Sequence, residues 1–431
     1  MNYYRFLNAV SAARKPMMLR VLTAIQAQSP PTMISMATGM PNVELFPFRE
    51  AEFRLSDGNK LKIDSASMKQ ALQYSPSQGI AGLVDWIKQL QERVHDPPLL
   101  TPADPNHPGR TQLAITTGSM DGLCKAMEAL VSKGDNVLME SALYPGALAA
   151  VQPLGCNIRS VKTDSDGLDP DDLQKVMSKW TPEDATKSDS DIPKLLYCVP
   201  NGGNPTGHGL TLKRKEKIYK IAQTYDLVIL EDDPYFYLQF NKPRVPSFLS
   251  LDTDGRVLRF DSFSKVLSSG MRVGFVTGPR TLVDRIILHM QASVLHCSSL
   301  SQVLLLKLLQ DWGSEGFDKH VEKVASFYRE RRDICLKMAE KHLKGLADWS
   351  EPTGGMFLWI KLDGIPDTYK LILEKAREKE VLFVPGSIFL PDYTSPSSYM
   401  RAAYSLATPE QMDEGFRRLA QLIREEVSCS V

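Results

Sequence analysis

The chain has 431 residues, 43% of them apolar and 24% charged, a globular composition too long for one ordinary domain. Its 51 basic and 51 acidic side chains cancel, so no net field draws it to nucleic acid or an anionic membrane, and no run of apolar residues is long enough to cross one. Cys124, Cys156, Cys198, Cys297, Cys335 and Cys429 stand singly, without the paired spacing of a zinc site or redox dithiol, and the one Asn-x-Thr triplet, Asn204-Pro205-Thr206, is barred from glycosylation by its proline.

Residues 1–17 carry Arg5, Arg14 and Lys15, no acid, and apolar residues at roughly helical spacing. Two readings stay open, a mitochondrial presequence and an amphipathic arm folded on the body. Helical spacing follows at Met68–Tyr74, a turn at Tyr74–Gly79, and a helix over Gly82–Val94 with Leu83, Ile87, Leu90 and Val94 on one face. The Pro-rich stretch 94–112 then separates this part from a regular core.

From Gln112, strands and helices alternate. Strands are predicted at Leu113–Thr117, Asn136–Met139, Ile158–Val161, Leu195–Val199, Leu227–Leu230, Arg256–Phe260 and Arg272–Val276, with helices at Met120–Leu130, Ala147–Leu154, Pro170–Trp180 and Leu212–Tyr225. Apolar strands between helices of this length predict an α/β fold, a mostly parallel sheet covered on both faces. After the helical regions Leu282–Trp312 and Phe317–Leu343 the texture changes to strand Met356–Leu362, helix Tyr369–Glu380, strands Val381–Val384 and Met400–Tyr404, and helix Pro409–Val427. The expected organisation is an arm, 1–47, packing with the small domain and a partner subunit, a large domain, 48–315, and a small α+β domain, 316–431.

Four stretches carry chemistry. In Arg259-Phe-Asp-Ser-Phe-Ser-Lys265, the lysine follows an apolar strand, flanked by Ser262 and Ser264, with Arg272 seven residues on. Alone it reads as a solvated lysine in a serine-rich loop. At the carboxyl edge of a parallel sheet it can instead become nucleophilic and condense with a carbonyl cofactor, while the hydroxyls and guanidinium suit a phosphate. In Leu227-Val-Ile-Leu-Glu-Asp232-Asp-Pro-Tyr235, the strand delivers Asp232 to that edge, where a carboxylate can keep a pyridine nitrogen protonated and Tyr235 can donate to the ring oxygen. In Tyr197-Cys-Val-Pro-Asn-Gly-Gly-Asn204-Pro-Thr-Gly, a tight loop holds Asn204, whose amide can cap the turn or reach the same oxygen. In Ile115-Thr-Thr-Gly-Ser119-Met120, a strand meets a helix whose first N–H groups can cradle a phosphate, although Thr-Gly-Ser by itself is an ordinary cap. Outside these, Tyr144 can stack on a flat ring or simply pack, and Arg401 can pair with a substrate carboxylate or form a rim ion pair.

As an ordered set, Asn204-Pro-Thr-Gly, Asp232-x-x-Tyr235, Ser262-x-Ser-Lys265 and Arg272 resemble the fold-type I, class I/II aminotransferases, over nearly the whole chain, and within them the branch acting on kynurenine and 2-aminoadipate. The resemblance implies pyridoxal 5'-phosphate as cofactor and a seven-stranded sheet sandwiched by helices. It implies that Lys265 carries the cofactor and shuttles the proton, that Asp232 pairs with the ring nitrogen, and that Tyr235 and Asn204 contact the ring hydroxyl. Ser119, Met120 through its backbone, Ser262, Ser264 and Arg272 would hold the phosphate, Tyr144 would stack on the ring, and Arg401 would take the α-carboxylate. Tyr74 would reach the phosphate of a neighbouring subunit in a homodimer with shared active sites, and Arg20, Gly39, Met40 and Leu295 would enclose the substrate side chain. Met120 stands where relatives carry a glutamine, and Ser141-Ala142 where they carry Glu-Pro.

The implied reaction is ping-pong transfer of an amino group from L-kynurenine, L-2-aminoadipate and other amino acids to 2-oxoglutarate, in the mitochondrial matrix or, alternatively, the cytoplasm. A β-lyase acting on cysteine conjugates would use the same constellation and differ in its products, pyruvate and ammonia. A cofactor-sensing regulator would need an appended DNA-binding domain, for which the short arm leaves no room. Neither nucleic acid, membrane nor metal is an expected partner.

Overall fold

The structure, a computed structural model, describes residues 1–30 and 32–429, with the Cys429 thiol outside the described side chains. Its central sheet has seven strands: β1 Thr111–Thr116, β2 Asn136–Glu140, β3 Asn157–Val161, β4 Leu195–Cys198, β5 Val228–Asp232, β6 Val257–Ser262 and β7 Gly274–Pro279. A smaller sheet has four: β8 Ala347–Trp349, β9 Phe357–Leu362, β10 Val384–Pro385 and β11 Tyr399–Ala403. The helices used below are α1 Ala81–His95, α2 Ser119–Leu130, α3 Pro145–Val151, α4 Leu212–Thr224, α5 Arg280–Ser293, α6 Ser299–Leu343 and α7 Pro409–Cys429. The chain divides into two compact units, residues 1–133 with 248–320, and 134–247 with 321–431.

In the first unit, β7 runs antiparallel to both β1 and β6, so the sheet as a whole is mixed rather than purely parallel. Helix α2 buries Leu123, Ala126, Met127 and Leu130, the apolar face of its sequence. The N-terminal segment is folded down as an arm: Tyr3 and Phe6 are buried, the Tyr3 hydroxyl donates to the Gly255 carbonyl at 2.8 Å, and Asn8 caps the helix Ala9–Ala13. The following helix, Met18–Gln28, instead leaves Met18, Leu19, Leu22 and Ile25 exposed.

In the second unit, β5, β4, β2 and β3 pair in parallel, in that order. Every residue of β2, β4 and β5 is buried, which explains why these strands read as continuous rather than alternating apolar runs. The small sheet is antiparallel throughout, in the order β8-β9-β11-β10, and has its own core of Leu343, Leu358, Ile360, Ile372, Met400, Leu419 and Ile423.

Several boundaries move from their predicted places. The strand expected at Arg272 begins at Gly274, because Arg272 itself lies at φ 52°, outside extended backbone. The helical region expected over Leu282–Trp312 breaks at 294–298, where Leu295 takes φ 68°. Helix α6 joins the two predicted helices across Gly313, whose φ of 60° kinks it. The strand expected at Val381–Val384 shortens to Val384–Pro385, after Glu380 at φ 57°, and the preceding helix widens to i→i+5 turns over Leu371–Ala376. A hairpin pairing Ala51–Arg54 with Lys60–Ile63 was not expected, although Asp57-Gly58 marks its turn.

Candidate active site

The first unit carries an anion cradle. Strand β1 ends at Thr116 and α2 starts at Ser119, with Gly118 between them at φ 78°, ψ 163° and no side chain capping the helix. The first N–H groups of a twelve-residue helix are therefore open to an anion. A Cβ at Gly118 would come within 2.3 Å of Arg272 Nη2, so glycine is what lets that guanidinium lie over the helix start. Gly274 is required for the same reason from the other side, since its Cβ would sit 2.5 Å from the Ser119 nitrogen.

Lys265 closes the turn Phe263–Lys265 directly after β6. Ser262 caps that turn by accepting from the Ser264 N–H at 3.1 Å, and the Ser264 hydroxyl accepts from Arg272 Nη1 at 3.4 Å. Arg272 also donates to the Ser269 carbonyl at 3.2 Å. Its left-handed backbone costs roughly 1–3 kcal/mol and recurs where a side chain must be aimed. Predicted Ser119, Ser264 and Arg272 are thus gathered by the first unit at one sheet edge, with Ser262 and Lys265 on the turn that ends β6. Two hydroxyls, a guanidinium and a helix start fit a phosphate monoester such as that of pyridoxal 5'-phosphate. Met120, the second residue of α2, adds only a backbone N–H.

Also in this unit, Arg20 and Tyr74 come together beside His296, which sequence reasoning missed and which directly follows Leu295. Arg20 Nη1 donates to the Ser75 carbonyl at 3.1 Å and its guanidinium lies 6.0 Å from the Tyr74 ring centre. The Tyr74 ring meets His296 edge-on at 6.0 Å. His296 Nε2 accepts from the Ser75 N–H at 3.3 Å while Nδ1 faces the Cys297 carbonyl at 2.7 Å, the pattern of a neutral ring protonated on Nδ1. Burial, with Arg20 adding to it, holds His296 below the ordinary histidine value despite that carbonyl. Gly39 and Met40 remain exposed, in a segment held where Gln73 Nε2 donates to the Pro41 carbonyl at 2.8 Å.

The second unit carries a buried acid and a buried cation. Asp232 ends β5 almost fully buried, and the Tyr197 hydroxyl, from β4, donates to its Oδ2 at 2.9 Å. A carboxylate kept out of water and hydrogen-bonded on one oxygen suits a protonated heterocyclic nitrogen. Tyr197 was within a quoted motif but without a role; its hydroxyl on an apolar strand was the available signal, since buried tyrosines seek a partner. Tyr235 is buried beside them, its ring edge-on to Phe357 at 6.0 Å, and burial followed by the Asp232 charge pushes its phenol above the ordinary value.

Arg401 sits on β11, opposite Trp359 of β9 and Val384 of β10. Its guanidinium lies over the Phe357 ring at 4.3 Å and the Phe389 ring at 5.1 Å, and Nη1 donates to Asn204 Oδ1 at 2.7 Å. Burial lowers its pKa, and Nε has no hydrogen-bond partner among the described residues. A desolvated guanidinium with a donor unsatisfied is prepared for a carboxylate. Asn204 itself is fixed by the loop hydrogen bonds Gly203 N–H to His208 carbonyl and Gly207 N–H to Gly203 carbonyl. Tyr144 immediately precedes α3, with its ring against Gly146, where a Cβ would fall 2.4 Å away. Phe357 and Phe389, which shape the arginine slot, were not foreseen.

A family model described as aminotransferase class I and II matches residues 46–419. The chain is 52% identical over 427 residues to the mitochondrial kynurenine/alpha-aminoadipate aminotransferase of Mus musculus, covering 99% of this chain and 100% of that one. Among solved structures it is similar to aminotransferase Aro8 of Candida albicans, at a TM-score of 0.86 and 26% identity, covering 99% of each chain. It is also similar to the Pyrococcus horikoshii kynurenine aminotransferase in complex with PMP, KYN as substrates and KYA as products, at a TM-score of 0.75 and 26% identity, covering 99% of this chain and 98% of that one.

Proposed function

We propose, from the premise that this chain belongs to the class I and II aminotransferase family, that it transfers the amino group of L-kynurenine, L-2-aminoadipate and other amino acids to 2-oxoglutarate. It is a pyridoxal 5'-phosphate enzyme with amino-acid and 2-oxo-acid substrates. The observation that carries the substrate reading is Arg401: held between Phe357 and Phe389, bound to Asn204 and with Nε unsatisfied, it is matched to an α-carboxylate.

When bound, the cofactor supplies the electron sink for loss of the α-proton. The Lys265 amine would hold the cofactor and would move that proton. Asp232, to which the Tyr197 hydroxyl donates, would keep the ring nitrogen charged, and Tyr235 and Asn204 would donate to the ring oxygen. Ser119, Met120 through its N–H, Ser262, Ser264 and Arg272 would bind the phosphate, and Tyr144 would cover the ring face. Arg20, Gly39, Met40 and Leu295 enclose the substrate side chain.

The working unit is a homodimer in which Tyr74 serves the partner's phosphate. The run of exposed apolar residues along the arm, Met18, Leu19, Leu22, Ile25, Met33, Ile34, Met36 and Leu45, supports this, because a free monomer rarely leaves such a patch uncovered. The functional division follows as arm 1–47, large domain 48–315 and small domain 316–431, the last supported by its separate core. Residence in the mitochondrial matrix is supported by the relative named mitochondrial.

Incubating purified enzyme with 2-oxoglutarate and a panel of amino acids, and measuring glutamate, tests the reaction. Kynurenine and 2-aminoadipate should give glutamate in equal amount to amino acid consumed. No glutamate from any aromatic, acidic or sulfur-containing donor overturns the substrate class, and pyruvate with ammonia from a cysteine conjugate alone would assign elimination.

A further inference from the structure

A cavity of about 480 Å3 opens in the first unit, away from the anion cradle. It lies at the Thr111–Leu113 end of β1, whereas Gly118 and Ser119 follow the opposite end of that strand. Two of its lining side chains are nearly fully buried yet have polar atoms without a hydrogen-bond partner among the described residues: both amide atoms of Gln91, on α1, and the hydroxyl of Thr277, on β7. A buried amide left without partners is destabilising, so something polar is expected against it.

The walls state the charge of that occupant. Lys88, Arg110 and Arg280 line the cavity against one acid, Asp85. Lys88 and Arg280 are exposed and Arg110 is half-buried. Among the described residues Arg280 has only a loose, exposed ion pair, 3.7 Å to Asp284, which an incoming anion can replace at little cost. Single waters would satisfy Gln91 but leave the convergence of three cations against one acid unexplained.

We propose that this cavity binds a small organic oxyanion, a carboxylate or phosphate ester, whose charged group is held by Arg110 and Arg280 and whose polar remainder satisfies Gln91 and Thr277. One wall is formed by Pro76, Gln78 and Gly79, the turn that carries Tyr74, and Gln78 is tied to β1 through its Nε2, which donates to the Leu113 carbonyl at 2.7 Å. Occupancy therefore stiffens the segment 76–79.

Holoenzyme is examined by amide hydrogen exchange with succinate and with glycerol 3-phosphate, each up to about 10 mM, sufficient to populate a millimolar site. At least one probe should slow exchange in both 76–79 and 88–92, and which one does so separates the carboxylate from the phosphate source. Arg110→Ser/Arg280→Ser should weaken that protection at least about tenfold while leaving turnover unchanged, and Gln91→Leu, which fills the same space without polar atoms, should abolish it. The proposal is overturned if neither probe protects these segments, or if protection survives in both variants, since succinate at the catalytic residues would act equally on all three proteins.

Discussion

Arg401 donates through Nη1 to the amide oxygen of Asn204 at 2.7 Å, so each fixes the other's orientation. The amide oxygen is thereby occupied and the Asn204 NH2 is directed elsewhere as a donor, while Arg401 keeps Nε for substrate. Arg401→Lys keeps the charge but loses the fork. We expect KM for amino acids to rise roughly 10- to 100-fold, the loss of a charged hydrogen bond of about 1.5–3 kcal/mol, with a smaller rise for Asn204→Ala. Steady-state kinetics with 2-aminoadipate checks this, and an unchanged KM in both variants would contradict the carboxylate assignment.

Lys265→Ala should lower turnover by at least about a hundredfold, the usual worth of a positioned proton-transfer group, and remove the visible absorption of the lysine-bound cofactor. If that absorption persists, a different lysine holds the cofactor.

Tyr197→Phe removes the 2.9 Å bond to Asp232 without altering shape. The carboxylate then loses a donor in a buried setting, and we expect about 1–3 kcal/mol of lost stabilisation, seen as lower kcat and weaker cofactor retention with KM little changed. Equal activity of the variant and the parent enzyme would show that the bond is only packing.

Gly118→Ala places a Cβ within 2.3 Å of Arg272 Nη2, at a backbone conformation that other residues rarely adopt. A strain of roughly 1–3 kcal/mol corresponds to cofactor affinity lowered by about 5- to 150-fold, measured by equilibrium dialysis of the apoenzyme. Retained affinity would mean that the helix start contributes nothing to the cradle.

His296 gives stability a dependence on pH. Its folded-state pKa lies below the unfolded reference of 6.5, so as pH falls through 6.5 the unfolded chain takes up the proton first. Stability is therefore full above 6.5, declines below it, and levels once the folded ring also protonates. His289 is depressed as well, mainly by burial, and adds to the same trend. Urea midpoints at pH 7.5, 6.5 and 5.5 should decline in that order and decline less steeply in His296→Asn; equal slopes would remove His296 from the account.

Much of this was legible because it is local. The apolar run ending at Asp232 specified both a buried strand and the place where a carboxylate would emerge, and Gly118-Ser119 specified a strand-to-helix junction. What was hidden depends on residues distant in the chain. Tyr197 meets Asp232 across 35 positions, His296 meets Ser75 across 221, and the rings of Phe357 and Phe389 enclose Arg401 only after β9, β11 and the following turns are packed. The strand start at Gly274 was misplaced because periodicity says nothing of a left-handed Arg272. The arm stayed ambiguous because basic, acid-free composition describes a leader and a packed segment equally well.

Tyr3 and Phe6 give the arm a mechanical part in the fold. Both rings are seated in the protein body and the Tyr3 phenol is latched to the Gly255 carbonyl. Truncating either ring to alanine would pull a hydrophobic peg and leave its socket open, so these two side chains act as masonry for the body they are set into.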